Sequence, residues 1–238
     1  MDEGLKKIFF LLLRDQPQFS AFFDFMAYSS PETNAEILLR QHFGHELCEN
    51  ADLAQIIADQ PIALAYCIAL INASNRYSIT PRWVLKNHPK VERILFRLRN
   101  QPCLTGCTYC NRALYAHHGL KKYFGFDSFR TYGGEPLQEN AVKAAINNQS
   151  ILAVFPTGGG KSITFQVPAL MSGETAKGLT IVISPLQSLM KDQIDNLERA
   201  GITDAVTING LLDPIERAKS LCVKPQKRRR SGFCTRRI

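Results

Sequence analysis

The chain of 238 residues allows one or two domains with a buried core, and its composition of 45% apolar and 21% charged residues is that of a globular protein. The net charge of +8 sits entirely in residues 219–238, which hold eight Lys or Arg and no acid; the remainder balances at 21 basic and 21 acidic residues, so bulk charge gives no argument that the folded part binds nucleic acid. No apolar run approaches a membrane span, and seven cysteines, of which three cluster, do not make a disulfide framework and fit a reducing, cytoplasmic setting.

Residues 1–100 read as a mostly α-helical domain with no internal repeat. Ile8–Leu13 follows Lys6 and Lys7 but is short, is cut by Arg14 and has no cleavage site, so it reads as a core helix and not as a secretory signal. Apolar residues recur at three- and four-residue spacing through Ala35–Cys48 and Leu53–Ile71, with Pro31, Pro61 and Pro81 at plausible helix starts. Asn87-His88-Pro89 closes one segment, and Val91–Leu98 begins another.

Residues 101–123 form a connector rich in Cys and His. Cys103, Cys107 and Cys110 with His117 or His118 make a Cys₃His set suited to a structural, tetrahedral Zn²⁺. The same C-x3-C-x2-C spacing resembles the radical-SAM motif, in which three thiolates hold a [4Fe–4S] cluster. Free cysteines in a loop and a helix end are the third reading.

Beyond an aromatic and glycine-rich loop the texture changes. Leu137–Asn148 predicts a helix, Ile151–Phe155 a strand, Lys161–Met171 a helix, Leu179–Ile183 a strand, Leu186–Ala200 a helix and Ala205–Ile208 a strand. This alternation predicts an α/β domain with a parallel sheet and crossover helices over residues 124–220.

Between the first of these strands and its helix lies Pro156-Thr157-Gly158-Gly159-Gly160-Lys161-Ser162. Three glycines let backbone N–H groups close around phosphate oxygens at a helix amino terminus. Lys161 would reach the β- and γ-phosphates of ATP, and the Ser162 hydroxyl would bind Mg²⁺. Phe155 stands where the general phosphate-loop pattern has its first glycine.

Together with Phe165–Leu170, this loop resembles the RecQ family of superfamily 2 DNA helicases. Tyr123–Arg130 resembles the family's adenine-recognition segment, and Val182–Gln193 resembles its motif Ia; Gly201-Ile202 and Thr207-Ile208-Asn209 continue the likeness. The resemblance implies a RecA-like P-loop motor domain, here partial, that hydrolyses ATP and moves 3′-to-5′ on DNA in repair or recombination. It implies that Phe126, Phe129 and Arg130 lie at the adenine and that Gln138 hydrogen-bonds its edge. It further implies that Ser184, Pro185, Leu186, Gln187 and Lys191 touch a DNA backbone. Seven residues, Thr131–Leu137, separate Arg130 from Gln138, more than the family spacing.

No Asp-Glu pair follows Ser162, although the family's Walker B pair holds Mg²⁺ and positions the attacking water. Residues 221–238 lack apolar periodicity and read as a basic tail, or as the product of a truncation or frameshift. The expectation is a chain that binds ATP weakly and turns it over poorly. The competing class is an interaction module that retains a remnant nucleotide site.

Overall fold

The structure, a computed structural model, describes residues 36–37, 39–41, 44–72, 82–176, 178–210, 212–215 and 232–236. The segment Ile8–Leu13, read as a core helix, lies outside the described residues, as do Pro31 and Pro81. The elements run from a short 3-10 turn, Gly44–Glu46, through α1 (Leu53–Asp59), α2 (Pro61–Asn72), α3 (Arg82–Asn87) and α4 (Lys90–Arg99). They continue with α5 (Thr108–Ala113), α6 (Ala116–Phe124), α7 (Leu137–Ile146), α8 (Lys161–Ala176), β1 (Leu179–Ile183), α9 (Gln187–Arg199), β2 (Ala205–Ile208) and β3 (Gly232–Arg236). Two compact units result. Among the described residues the first holds those up to 72, 82–99 and 103–110, and the second holds 100–102 and 111–236.

In the first unit α2 is apolar on every side, and Ala63 to Ile68 are all buried. A helix without a polar face has to be covered all round, and α1 and α4 pack against it. Helix α4 is one-faced instead: Val91, Ile94, Leu95 and Leu98 are buried while Glu92, Arg93 and Arg97 are exposed. Each such apolar side chain contributes about 1.5–3 kcal/mol on burial.

Pro61 opens α2, in keeping with the helix start read there, so the apolar run Leu53–Ile71 is two helices that part at Gln60; Asp52 caps α1 by accepting from the Gln55 N–H at 2.9 Å. Ala35–Cys48, by contrast, is not one helix. The 3-10 turn at Gly44 interrupts it, and the Cys48 N–H bonds the Leu98 carbonyl at 2.9 Å in place of a helical partner.

In the second unit α6 and α7 both pack on α8. A Cβ on Gly119 would fall 2.6 Å from Met171 Sδ, so the absence of a side chain sets the approach of α6 to α8. The Asn100 amide ties into α8, donating to Ser172 Oγ at 3.2 Å and accepting from Thr175 Oγ1 at 2.8 Å. Leu170, Leu197, Ile202 and Ala205 form the buried core with Val182 packed on them.

The sheet is parallel, in the order β1-β3-β2, with Ile181 and Val206 both registered against Cys234. Strands β1 and β2 and helix α9 match their predicted ranges to within a residue. Two features do not follow the prediction. Ile151–Phe155 pairs with no strand among the described residues and carries no regular secondary structure, with Leu152 and Val154 94% and 81% exposed. Residues 221–238, read as a tail, instead supply β3. The run Phe233-Cys234-Thr235 has strand propensity, and its backbone is satisfied by neighbours on both sides. The outer face of β1 carries exposed Leu179, Ile181 and Ile183. No helix among the described residues is long and apolar enough to cross a membrane.

Candidate nucleotide-binding site

The glycine loop opens α8. The Gly159 N–H returns to the Pro156 carbonyl at 3.0 Å, which closes a tight turn, and a Cβ on Gly159 would lie 2.8 Å from that same oxygen. Gly160 adopts φ 67°, and a Cβ there would lie 2.8 Å from Gln138 Nε2. The loop thus requires glycine by both conformation and space. It delivers the chain to Lys161, the exposed first residue of α8, where unpaired N–H groups and the helix dipole favour an anion.

Three successive loop carbonyls are held by side-chain donors from one neighbouring segment. Arg130 NH1 donates to the Gly158 carbonyl at 2.9 Å, the Tyr132 hydroxyl to the Gly159 carbonyl, and Gln138 Nε2 to the Gly160 carbonyl at 2.9 Å. These donors offset the partial negative charge of the three carbonyls, which would otherwise oppose an anion held by the loop's N–H groups.

The long Thr131–Leu137 gap makes this possible. It folds into a turn in which Tyr132 and Glu135 exchange backbone hydrogen bonds at 2.9 and 3.0 Å around Gly133-Gly134. That turn returns Gln138 to Arg130, whose N–H donates to Gln138 Oε1 at 2.8 Å. Gln138 is 3% exposed, and both ends of its amide are engaged with backbone, not left open toward a base. Phe126 is exposed, while Phe129 is buried with its ring edge-on to His117 at 5.1 Å.

Ser162 Oγ accepts from Gln193 Nε2 at 2.8 Å, and Gln193 Oε1 accepts from Gln166 Nε2 at 2.7 Å. This relay links the loop to α9, in the motif Ia-like segment. At the carboxyl end of β1, Ser184 is buried, with its hydroxyl 3.3–3.4 Å from the backbone of Leu186. Pro185 and Lys191 are exposed, and Gln187 is half-buried.

The cysteine cluster lies within the first unit. Cys103, Cys107 and Cys110 come together, and the fourth sulfur beside them is that of Cys48. His117 belongs to the second unit, where its Nδ1 is 3.7 Å from Glu139 Oε1. Cys103 accepts from the Cys107 N–H at 3.2 Å and from Asn50 Nδ2 at 3.2 Å; those donors, the backbone one foremost, lower its thiol to about 5. Burial pushes the Cys48 thiol up to about 11 and that of Cys110 higher still.

Sequence reasoning gave no role to Tyr132, Gln193 or Cys48. Gln193 stood inside a motif already quoted. Tyr132 lies in the stretch that departs from family spacing, and Cys48 lies far upstream of its partners.

Residues 135–225 match the family model described as DEAD/DEAH box helicase. The chain is 49% identical over 79 residues to the ATP-dependent DNA helicase Q5 of Rattus norvegicus, a match covering 33% of the chain and 7% of that protein. It is 49% identical over 87 residues to the ATP-dependent DNA helicase RecQ of Bacillus subtilis (strain 168), covering 36% and 13%. With the ATP-dependent DNA helicase RecQ of Haemophilus influenzae it shares 51% identity over 83 residues, covering 35% and 12%. The chain therefore spans only a small part of the length of these relatives.

Proposed function

We propose, from the match of residues 135–225 to the DEAD/DEAH box helicase model and from the similarity to RecQ-type helicases, that residues 156–162 bind Mg²⁺·ATP as the nucleotide half-site of a 3′-to-5′ DNA-unwinding motor. The observation that carries the reading is the bracing of the Gly158, Gly159 and Gly160 carbonyls by Arg130, Tyr132 and Gln138. Such a loop offers its amino-terminal helix end to phosphate without reorganising. Lys161 supplies the charge for the β- and γ-phosphates. Phe126 is the exposed aromatic offered to the base, while Phe129 and Gln138 are buried beneath the segment.

The residues present fit magnesium brought in with the nucleotide. Ser162 Oγ is fixed by one hydrogen bond from Gln193 and keeps a lone pair for the ion; phosphates and water complete such a shell. When bound, magnesium draws charge off the phosphate oxygens. Ser184, Pro185, Gln187 and Lys191, at the carboxyl end of β1, are assigned to a DNA backbone, the edge where parallel sheets place ligands.

The activity proposed for residues 156–162 is ATP binding. Titration with a fluorescent ATP analogue and magnesium tests it: binding is expected for the wild-type chain and not for Lys161→Ala. Equal binding by both overturns the site.

A further inference from the structure

We propose that Cys48, Cys103, Cys107 and Cys110 form a closed, structural zinc site in the first unit, independent of the nucleotide site. Their four sulfurs lie within 4.8 Å of one another, and Cys48 Sγ is 3.9 Å from Cys107 Sγ. Tetrahedral zinc with bonds of about 2.3 Å requires sulfurs about 3.8 Å apart. The cluster is thus within small side-chain adjustments of a binding geometry. The same separation is far from a disulfide bond of about 2.05 Å, and all four cysteines are free.

The backbone holds the ligands in place without a metal. Gly106 turns the chain at φ 62°, its N–H bonding the Cys103 carbonyl at 3.2 Å, so Cys103 and Cys107 face one point. Cys110 projects from α5. Cys48 is fixed from the other side: its N–H bonds Leu98, and the Arg40 guanidinium grips the Glu49 and Ala51 carbonyls at 3.0 and 2.8 Å.

Four thiolates around Zn²⁺ leave two negative charges, and three donors stand ready for them. The Glu49 N–H points to Cys107 Sγ at 3.4 Å, while the Cys107 N–H and Asn50 Nδ2 both point to Cys103 Sγ. The donor set decides the metal and the role. Four soft sulfurs select zinc or iron over hard cations. A full set of four leaves no open position, which makes the site structural. It equally argues against a three-thiolate cluster with one open iron.

Metal content of the full chain, purified under reducing conditions and then loaded with zinc alone, tests the proposal. About one tightly held zinc per chain is expected. Cys48→Ser is expected to weaken zinc retention against a chelator by more than about 100-fold, and Asn50→Ala, which removes only a donor to Cys103, by about 10-fold. His117→Ala is expected to leave it unchanged. Because Cys48→Ser can fail to fold, the wild-type chain loaded with cobalt gives a second reading: sulfur-to-cobalt charge transfer per metal equal to four thiolates supports the site. Three-thiolate intensity, zinc lost on His117→Ala but kept on Cys48→Ser, or no stoichiometric metal at all overturns it.

Discussion

Gln138 donates from Nε2 to the carbonyl of Gly160 at 2.9 Å, across 22 positions of sequence, while its Oε1 accepts from Arg130. One buried amide thus fixes the start of α7, the aromatic segment and the glycine loop relative to one another. Gln138→Glu keeps the acceptor for Arg130 but sets a carboxylate oxygen against the Gly160 carbonyl. Loss of about 1–3 kcal/mol is expected in chemical denaturation, with weaker nucleotide binding. A variant as stable as the parent would show that the bridge is incidental.

Tyr132 reaches the next carbonyl, Gly159, from the turn that lengthens the gap before Gln138. Tyr132→Phe removes one hydroxyl and retains the ring against Phe155, 5.2 Å away between centroids. Since Gly159 is buried, its carbonyl is then left without that donor. ATP affinity is expected to fall about 2- to 10-fold, the range of one hydrogen bond. Deleting the turn to restore family spacing is expected to do at least as much harm.

Much of this architecture was legible in the sequence because it is local. Val91, Ile94, Leu95 and Leu98 announce α4 by spacing alone, and Leu179–Ile183 announces β1 by its apolar run. What was hidden depends on distant partners. Ile151–Phe155 has strand composition, but a strand exists only where another backbone pairs with it. Phe233–Thr235 sits in a basic segment with no periodicity, yet its two neighbours in the sheet make it a strand. Cys48 closes the sulfur cluster across 59 positions to Cys107, and no spacing rule spans that distance. The glycine loop itself was legible because Gly-Lys-Ser chemistry is written in consecutive residues. The carbonyl braces on it were not.

Gln193 links Ser162 to α9, so the two side chains are expected to act as one unit. Gln193→Ala leaves the Ser162 hydroxyl free to rotate. The magnesium dependence of ATP binding should shift upward about 2- to 10-fold. Ser162→Ala combined with Gln193→Ala should cost little more than Ser162→Ala alone. Full additivity in that double-mutant cycle would detach Gln193 from the metal-binding hydroxyl.

Lys191 is exposed on α9, beyond the carboxyl end of β1. If it meets a phosphate of single-stranded DNA, Lys191→Ala weakens binding to every sequence alike, and the slope of log affinity against log salt becomes shallower by about 0.7. The basic residues of 219–238 can also bind DNA through charge alone, so the comparison is made twice, with Lys191 changed and with Arg228, Arg229 and Arg230 changed to alanine. A slope that responds only to the arginines places DNA on the carboxyl-terminal segment. A slope that responds to Lys191 places a DNA strand at the carboxyl edge of β1, adjacent through Gln193 and Ser162 to the nucleotide, where a change in phosphate occupancy has a direct mechanical route to the bound strand.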